Sequence, residues 1–91
     1  ACRRIAEMAD SAGLTVMLHG GGTHPYGQHF TLAMPCVPWA ECFIATPPGV
    51  PLEEVDWTPG TTPPRDGWVT ANDGPGFGID VPPEWLEPFF T

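Results

Sequence analysis

The stretch Leu14-Thr15-Val16-Met17-Leu18-His19-Gly20-Gly21-Gly22 decides how this chain is read: five nearly all-apolar residues, then a histidine, then three glycines. An apolar run of this length reads as a strand covered on both faces. The glycines that follow let backbone approach a ligand closely or take positive φ angles. Upstream, Cys2, Ile5, Ala6, Ala9 and Ala12 recur at three- and four-residue steps, which places them on one face of an amphipathic helix. Gly13 falls where a left-handed cap is needed. Downstream, His24-Pro25 is suited to open a second helix, since proline is tolerated at the first helical position. Phe30, Leu32, Ala33 and Met34 supply its apolar residues, and Pro35 and Pro38 end it. Trp39-Ala40-Glu41-Cys42-Phe43-Ile44 then resumes as a short strand. Two successive αβ units with brief connections predict an α/β fold, doubly wound or barrel. Both place function at the C-terminal ends of their strands, which singles out His19.

A boundary is expected near Thr46-Pro47-Pro48, dividing the chain into 1–46 and 47–91. The second part is rich in proline and glycine, with turn signals at Pro59-Gly60, Asp66-Gly67 and Asp73-Gly74-Pro75-Gly76. Short extended pieces, Gly67-Trp68-Val69-Thr70 and Gly78-Ile79-Asp80-Val81, fall between them. Trp57, Trp68, Phe77, Trp85, Phe89 and Phe90 are too many large apolar groups for a disordered linker. They require a surface, either another domain or a satellite core shared with the first half.

Charge excludes several classes of partner. The chain has 3 Lys+Arg against 11 Asp+Glu and a formal net charge of −8. Its only cations, Arg3, Arg4 and Arg65, argue against nucleic acid and anionic membrane. No apolar run is long enough for a membrane span and no signal-peptide pattern is present, so a cytoplasmic location is expected. Cys2, Cys36 and Cys42 match neither a disulfide framework nor a zinc ribbon, and read as small buried thiols. At 91 residues the chain is expected to be marginal on its own.

His19-Gly20-Gly21-Gly22 resembles segments of two families. In the lipase and esterase branch of the α/β-hydrolases, a His-Gly-Gly-Gly run after an early strand lends N–H groups to the oxyanion hole. That resemblance requires a serine nucleophile further along, and the only serine here is Ser11, upstream of the loop.

The second resemblance covers nearly the whole chain. Residues 14–22 look like the seventh barrel strand and loop of the enolase superfamily, in its mandelate racemase and muconate lactonizing branch. Trp39-Ala40-Glu41-Cys42-Phe43 resembles the eighth strand, whose glutamate follows the histidine by about twenty residues in that branch; here the separation is twenty-two. Pro47-Pro48-Gly49-Val50-Pro51-Leu52-Glu53-Glu54, and Asp66-Gly67-Trp68 with Gly74-Pro75-Gly76-Phe77-Gly78-Ile79, look like the C-terminal segment that packs back on the capping domain. The resemblance implies the last portion of a (β/α)7β TIM-like barrel, 1–46, followed by that segment, 47–91. Within the branch, a histidine followed by glycines is most similar to the sugar-acid dehydratases of L-rhamnonate dehydratase type, although those show serines in place of some glycines and a loop two residues shorter.

What the resemblance implies chemically is a lyase, a hydro-lyase that removes the proton α to a carboxylate and eliminates water. His19 would be the base, a task suited to an imidazole that titrates near neutrality. Glu41 would hydrogen-bond the substrate carboxylate as its charge grows, and must carry a proton to do so. Gly20, His24 and Tyr26 are candidate substrate contacts, with Gln28 beside them. The resemblance further implies Mg2+ to stabilise the enediolate, with its ligands, and a carboxylate orienting the base, all upstream of Ala1. A small sugar acid is the expected partner, and the full-length protein is expected to be a homo-oligomer. The 91-residue chain by itself is expected to be inactive. A racemase or epimerase of the same superfamily is the nearest alternative. A non-catalytic interaction module docking through its proline-rich segments is a third class.

Overall fold

Residues 1–43 and 46–89 are described by the computed structural model. Ile44, at the end of the second expected strand, and Phe90, among the tail aromatics, lie outside the described residues.

Helix α1 spans Cys2–Ser11, as the apolar spacing predicts. It ends in a Schellman arrangement: Leu14 N–H donates to Ala9 C=O at 2.8 Å and Gly13 N–H to Asp10 C=O at 3.0 Å. Gly13 takes φ 70, and an added Cβ there would meet open space. Gly13→Ala therefore carries only the left-handed backbone penalty, an expected loss of about 1 kcal/mol on urea unfolding. Arg3 Nε donates to Glu7 Oε1 at 2.8 Å one turn on, an exposed pair worth only about 0.3 kcal/mol. The apolar face of α1 is mostly uncovered. Ala6 alone is fully buried, while Ile5 and Met8 stay exposed.

Helix α2 spans Pro25–Ala33, with His24 as an extended N-cap and proline in the first turn. The side chains it buries are not the expected ones. Pro25, Gly27 and Gln28 face inward, whereas Leu32 is exposed and Phe30 half-buried. The reason is that the glycine loop, not a sheet, lies against the start of α2.

The two expected strands are the main correction. Residues 14–18 and 39–43 take neither helix nor turn, and the described residues contain no named strand. Two backbone hydrogen bonds run beside these segments without joining one directly to the other: Val16 N–H to Cys36 C=O at 2.8 Å, ahead of the second, and Gly22 N–H to Glu41 C=O at 2.7 Å, from the glycine loop after the first. Both bonds point forward along the chain with nearly the same offset, as in a parallel pair. Parallel pairing is weak for two segments alone and needs cover on both faces. Leu14 and Met17 are 61% and 54% exposed, so that cover is missing among the described residues. No sheet or barrel closure is formed by the described residues.

The core is correspondingly small. Ala6, Cys36 and Val37 are its buried apolar residues, with Val16, Phe30 and Met34 packed around them. Cys36 is buried as expected, but Cys2 is exposed and Cys42 half-buried. The radius of gyration, 15.3 Å, exceeds the about 12 Å of a compact chain of this length.

The tail is a string of turns, with 3-10 turns at Leu52–Glu54, Gly76–Gly78 and Pro83–Leu86. Arg65 and Trp68 exchange both backbone hydrogen bonds, at 2.9 and 2.8 Å, around Asp66 and Gly67 at φ 51 and 80. Those angles are the ones an Asp-Gly hairpin turn prefers. The tail touches the first half at α2, where the rings of His29 and Phe77 meet edge-on at 5.3 Å. Trp57 is half-buried and donates from Nε1 to Leu52 C=O at 2.8 Å, while Trp68 and Trp85 remain exposed.

Candidate active site

The loop after residue 18 turns back on itself through glycine packing. Gly21 N–H donates to Leu18 C=O, and Thr23 N–H to Gly20 C=O, each at 3.0 Å. Thr23 Oγ1 adds a second bond to Gly20 C=O at 2.7 Å. Gly20, Gly21 and Gly22 are all buried. A Cβ on Gly22 would collide with Cys42 Sγ and lie 2.9 Å from Glu41 C=O, and one on Gly27 would collide with the Gly21 carbonyl. Side-chain volume is therefore excluded where α2, the loop and the segment around Glu41 converge.

That convergence brings His19 and Glu41 together. His19 Nδ1 lies 3.0 Å from Glu41 Oε1, and Gly20 N–H donates to the same oxygen at 2.9 Å. Oε1 accepts one hydrogen bond, from Gly20, and has the imidazole nitrogen at ion-pair distance, while Oε2 makes no hydrogen bond among the described residues. The His19 side chain is 86% exposed and that of Glu41 30%. A pair this open is worth about 0–1 kcal/mol, too little to hold the loop. The loop's packing sets the geometry, and the pair follows from it. The contact is one of distance between Nδ1 and the carboxylate, and the mostly exposed ring keeps a second nitrogen, Nε2, that the protein does not bond among the described residues. The edge of the His19 ring also meets Phe43, centroids 4.9 Å apart at 80°.

The other candidates fall elsewhere. The Gly20 amide, expected to face a substrate, is taken by Glu41. His24 and Tyr26 stack at 5.2 Å with planes 10° apart, and neither bonds to nor stacks on His19 or Glu41 among the described residues. Gln28 is fully buried and bonded to backbone, so it does not face a substrate. Its burial was not legible in the sequence, because the residues it binds lie in the loop and in the tail. A cavity of about 560 Å³ opens between α2 and the Asp66-Gly67 hairpin, lined by Gln28, Leu32, Val37, Trp39 and Trp68 among others; His19 and Glu41 do not line it.

Burial pushes the Cys42 thiol up. A raised folded value means that this group's stabilisation is complete below its unfolded pKa, about 8.5, and is lost as pH rises through the folded value. Iodoacetamide at pH 8 is accordingly expected to label exposed Cys2 well before Cys42, as peptide mass mapping would show; equal labelling would contradict the burial.

The residues present do not fit a metal centre: no group of three or more His, Cys, Asp or Glu side chains able to hold an ion occurs among the described residues. No described helix is long and apolar enough to cross a membrane.

The model of the family described as enolase C-terminal domain-like matches residues 1–85. The chain belongs to that family. Membership places it with the mandelate racemase and muconate lactonizing C-terminal domains, within a superfamily of α/β TIM-barrel enzymes of lyase and racemase type. No solved structure matches the chain.

Proposed function

We propose that this chain is the C-terminal part of a Mg2+-dependent sugar-acid dehydratase of L-rhamnonate dehydratase type, with His19 and Glu41 in its active site. The observation that carries the reading is the contact of His19 Nδ1 with Glu41 Oε1 at 3.0 Å, reached across twenty-two residues. In this arrangement Glu41 holds the imidazole in one tautomer. Nε2 then accepts the proton α to the substrate carboxylate, and the C–H electrons move into that carboxylate as an enediolate. Collapse of the enediolate expels the β-hydroxyl, which leaves as water after taking the proton back from Nε2. Glu41 Oε2, when it carries a proton, is the oxygen available to donate a hydrogen bond to the substrate carboxylate. The metal, in this proposal, is held by residues outside the chain, and the substrate is a small sugar acid.

The test is to incubate the full-length protein with L-rhamnonate and related sugar acids in D2O, following deuterium at the α carbon and formation of a 2-keto-3-deoxy acid. Water loss from one of them is the expected result. Deuterium uptake with inversion and no water loss would replace dehydration by epimerisation, and neither reaction on any acid would remove the proposal. Glu41→Gln keeps an oxygen for Gly20 N–H but removes the carboxylate from His19; about a tenfold to hundredfold fall in kcat is expected, measured on the same substrate.

A further inference from the structure

The tail reaches the first half of the chain through few tethers, and the most completely bonded of them is one side chain. Gln28 is 0% exposed. Its Nε2 donates to Thr62 C=O at 2.7 Å and its Oε1 accepts Thr62 N–H at 3.0 Å. A glutamine amide carries the same donor and acceptor as a peptide, so Gln28 and Thr62 pair as two facing peptide groups do. The second Nε2 proton goes to Gly22 C=O at 3.0 Å. Both amide donors are therefore used.

Gly22 is held from its other side as well, since its N–H donates to Glu41 C=O at 2.7 Å. Glu41 in turn accepts Gly20 N–H on Oε1, the oxygen that lies 3.0 Å from His19 Nδ1. A continuous hydrogen-bonded path thus runs from Thr62 through Gln28 and Gly22 to Glu41, whose carboxylate lies 3.0 Å from His19 Nδ1. A weaker strap, Thr61 Oγ1 donating to Thr23 C=O at 3.4 Å, lies alongside it. Every contact on the path that Gln28 makes is to backbone, so it places chain segments and takes no part in chemistry.

We propose that Gln28 is a positioning residue through which the seating of the tail at Thr62 sets the geometry of the His19–Glu41 pair; this rests on the catalytic reading of that pair given above. The tail then belongs to the active site's framework, and release of residue 62 loosens the loop that carries the base.

Gln28→Glu is the most direct variant. It keeps the side-chain length and an acceptor for Thr62 N–H, but removes both donated bonds and sets a carboxylate against two carbonyl oxygens. In the full-length protein, hydrogen exchange of the Thr62, Gly22 and Gly20 amides is expected to speed up together by about tenfold or more, with α1 amides unchanged. The 15N shifts of the His19 ring, which report its tautomer, are expected to move with them. Thr62→Ala is the control: only the backbone of residue 62 is used, so it leaves these signals in place. Acceleration of every amide including those of α1, or an unchanged His19 signature in a folded Gln28→Glu protein, would overturn the proposal.

If that variant does not fold, the wild-type protein decides the matter. Linked seating requires Thr62 and Gly22 amides to open at the same rate, and a Thr62 amide that opens about tenfold faster would show the tail moving independently of the loop. These readouts need no substrate, so they stand or fall separately from the dehydratase assignment. Where turnover is found, Gln28→Glu is expected to lower kcat on the order of a hundredfold with KM little changed, as a displaced base does.

Discussion

Replacing His19 by asparagine is expected to lower turnover by about 10²- to 10⁴-fold while the protein keeps its stability. The first half of that statement follows from geometry. Nδ1 lies 3.0 Å from Glu41 Oε1 and the ring is largely exposed, so in the proposed reading one nitrogen faces the glutamate and the other is available for a proton. Asparagine preserves polarity and some of the reach toward Glu41 but has no basic atom. The second half follows from exposure. At 86% exposed, the His19 side chain contributes little packing beyond its edge contact with Phe43. Deuterium uptake at the α carbon of the substrate, measured beside urea unfolding of the same variant, separates the two effects. Unfolding that accompanies the loss of turnover would mean the histidine is structural, and retained uptake would mean that another group is the base.

The largest effect on stability is expected at the glycines, where the sequence invites a different interpretation. Three consecutive glycines after a strand suggest a backbone opened toward a ligand. In the structure, Gly22 and Gly27 lack side chains because other atoms occupy that space. Gly27→Ala would drive a methyl into the Gly21 carbonyl, which is backbone and cannot rotate away. Gly22→Ala would meet Cys42 Sγ and the Glu41 carbonyl that Gly22 N–H binds. Each is expected to cost about 2–3 kcal/mol by overpacking, against about 1 kcal/mol for Gly13→Ala, where space is open. Each is also expected to reduce turnover in the protein that remains folded, because the His19–Glu41 contact depends on this packing. Urea denaturation of the three variants checks the order. A Gly27→Ala protein as stable as wild type would show that α2 and the loop do not touch as described.

Two changes at the same loop thus separate chemistry from architecture. His19, in the proposed reading, is a functional side chain on a frame it does not support, and Gly22 and Gly27 support the frame without any chemistry. Glu41 has a part in both, since its carboxylate lies 3.0 Å from His19 Nδ1 while its backbone carbonyl anchors Gly22.

The sequence alone determined the local elements, and it singled out His19 and Glu41 as candidates. Apolar spacing from Cys2 and the glycine at 13 specify α1 and its end, and Pro25 and Pro35 bracket α2. The Asp66-Gly67 turn was legible for the same reason, since these features depend on neighbours within one turn of chain. His19 and Glu41 were legible as a pair because the order of segments resembles a family, and the match to residues 1–85 bears out the enolase superfamily. Tertiary structure alone decided the rest. A parallel strand forms only when partners cover its edges and faces, so an apolar run such as 14–18 does not become a strand by composition. The burial of Gln28, the inward face of α2 and the crowding at Gly22 depend on segments twenty or more residues away or on a loop folding back. No local pattern of residues encodes which distant carbonyl a glutamine will meet; that is settled only when the glycine loop, α2 and the tail are packed together.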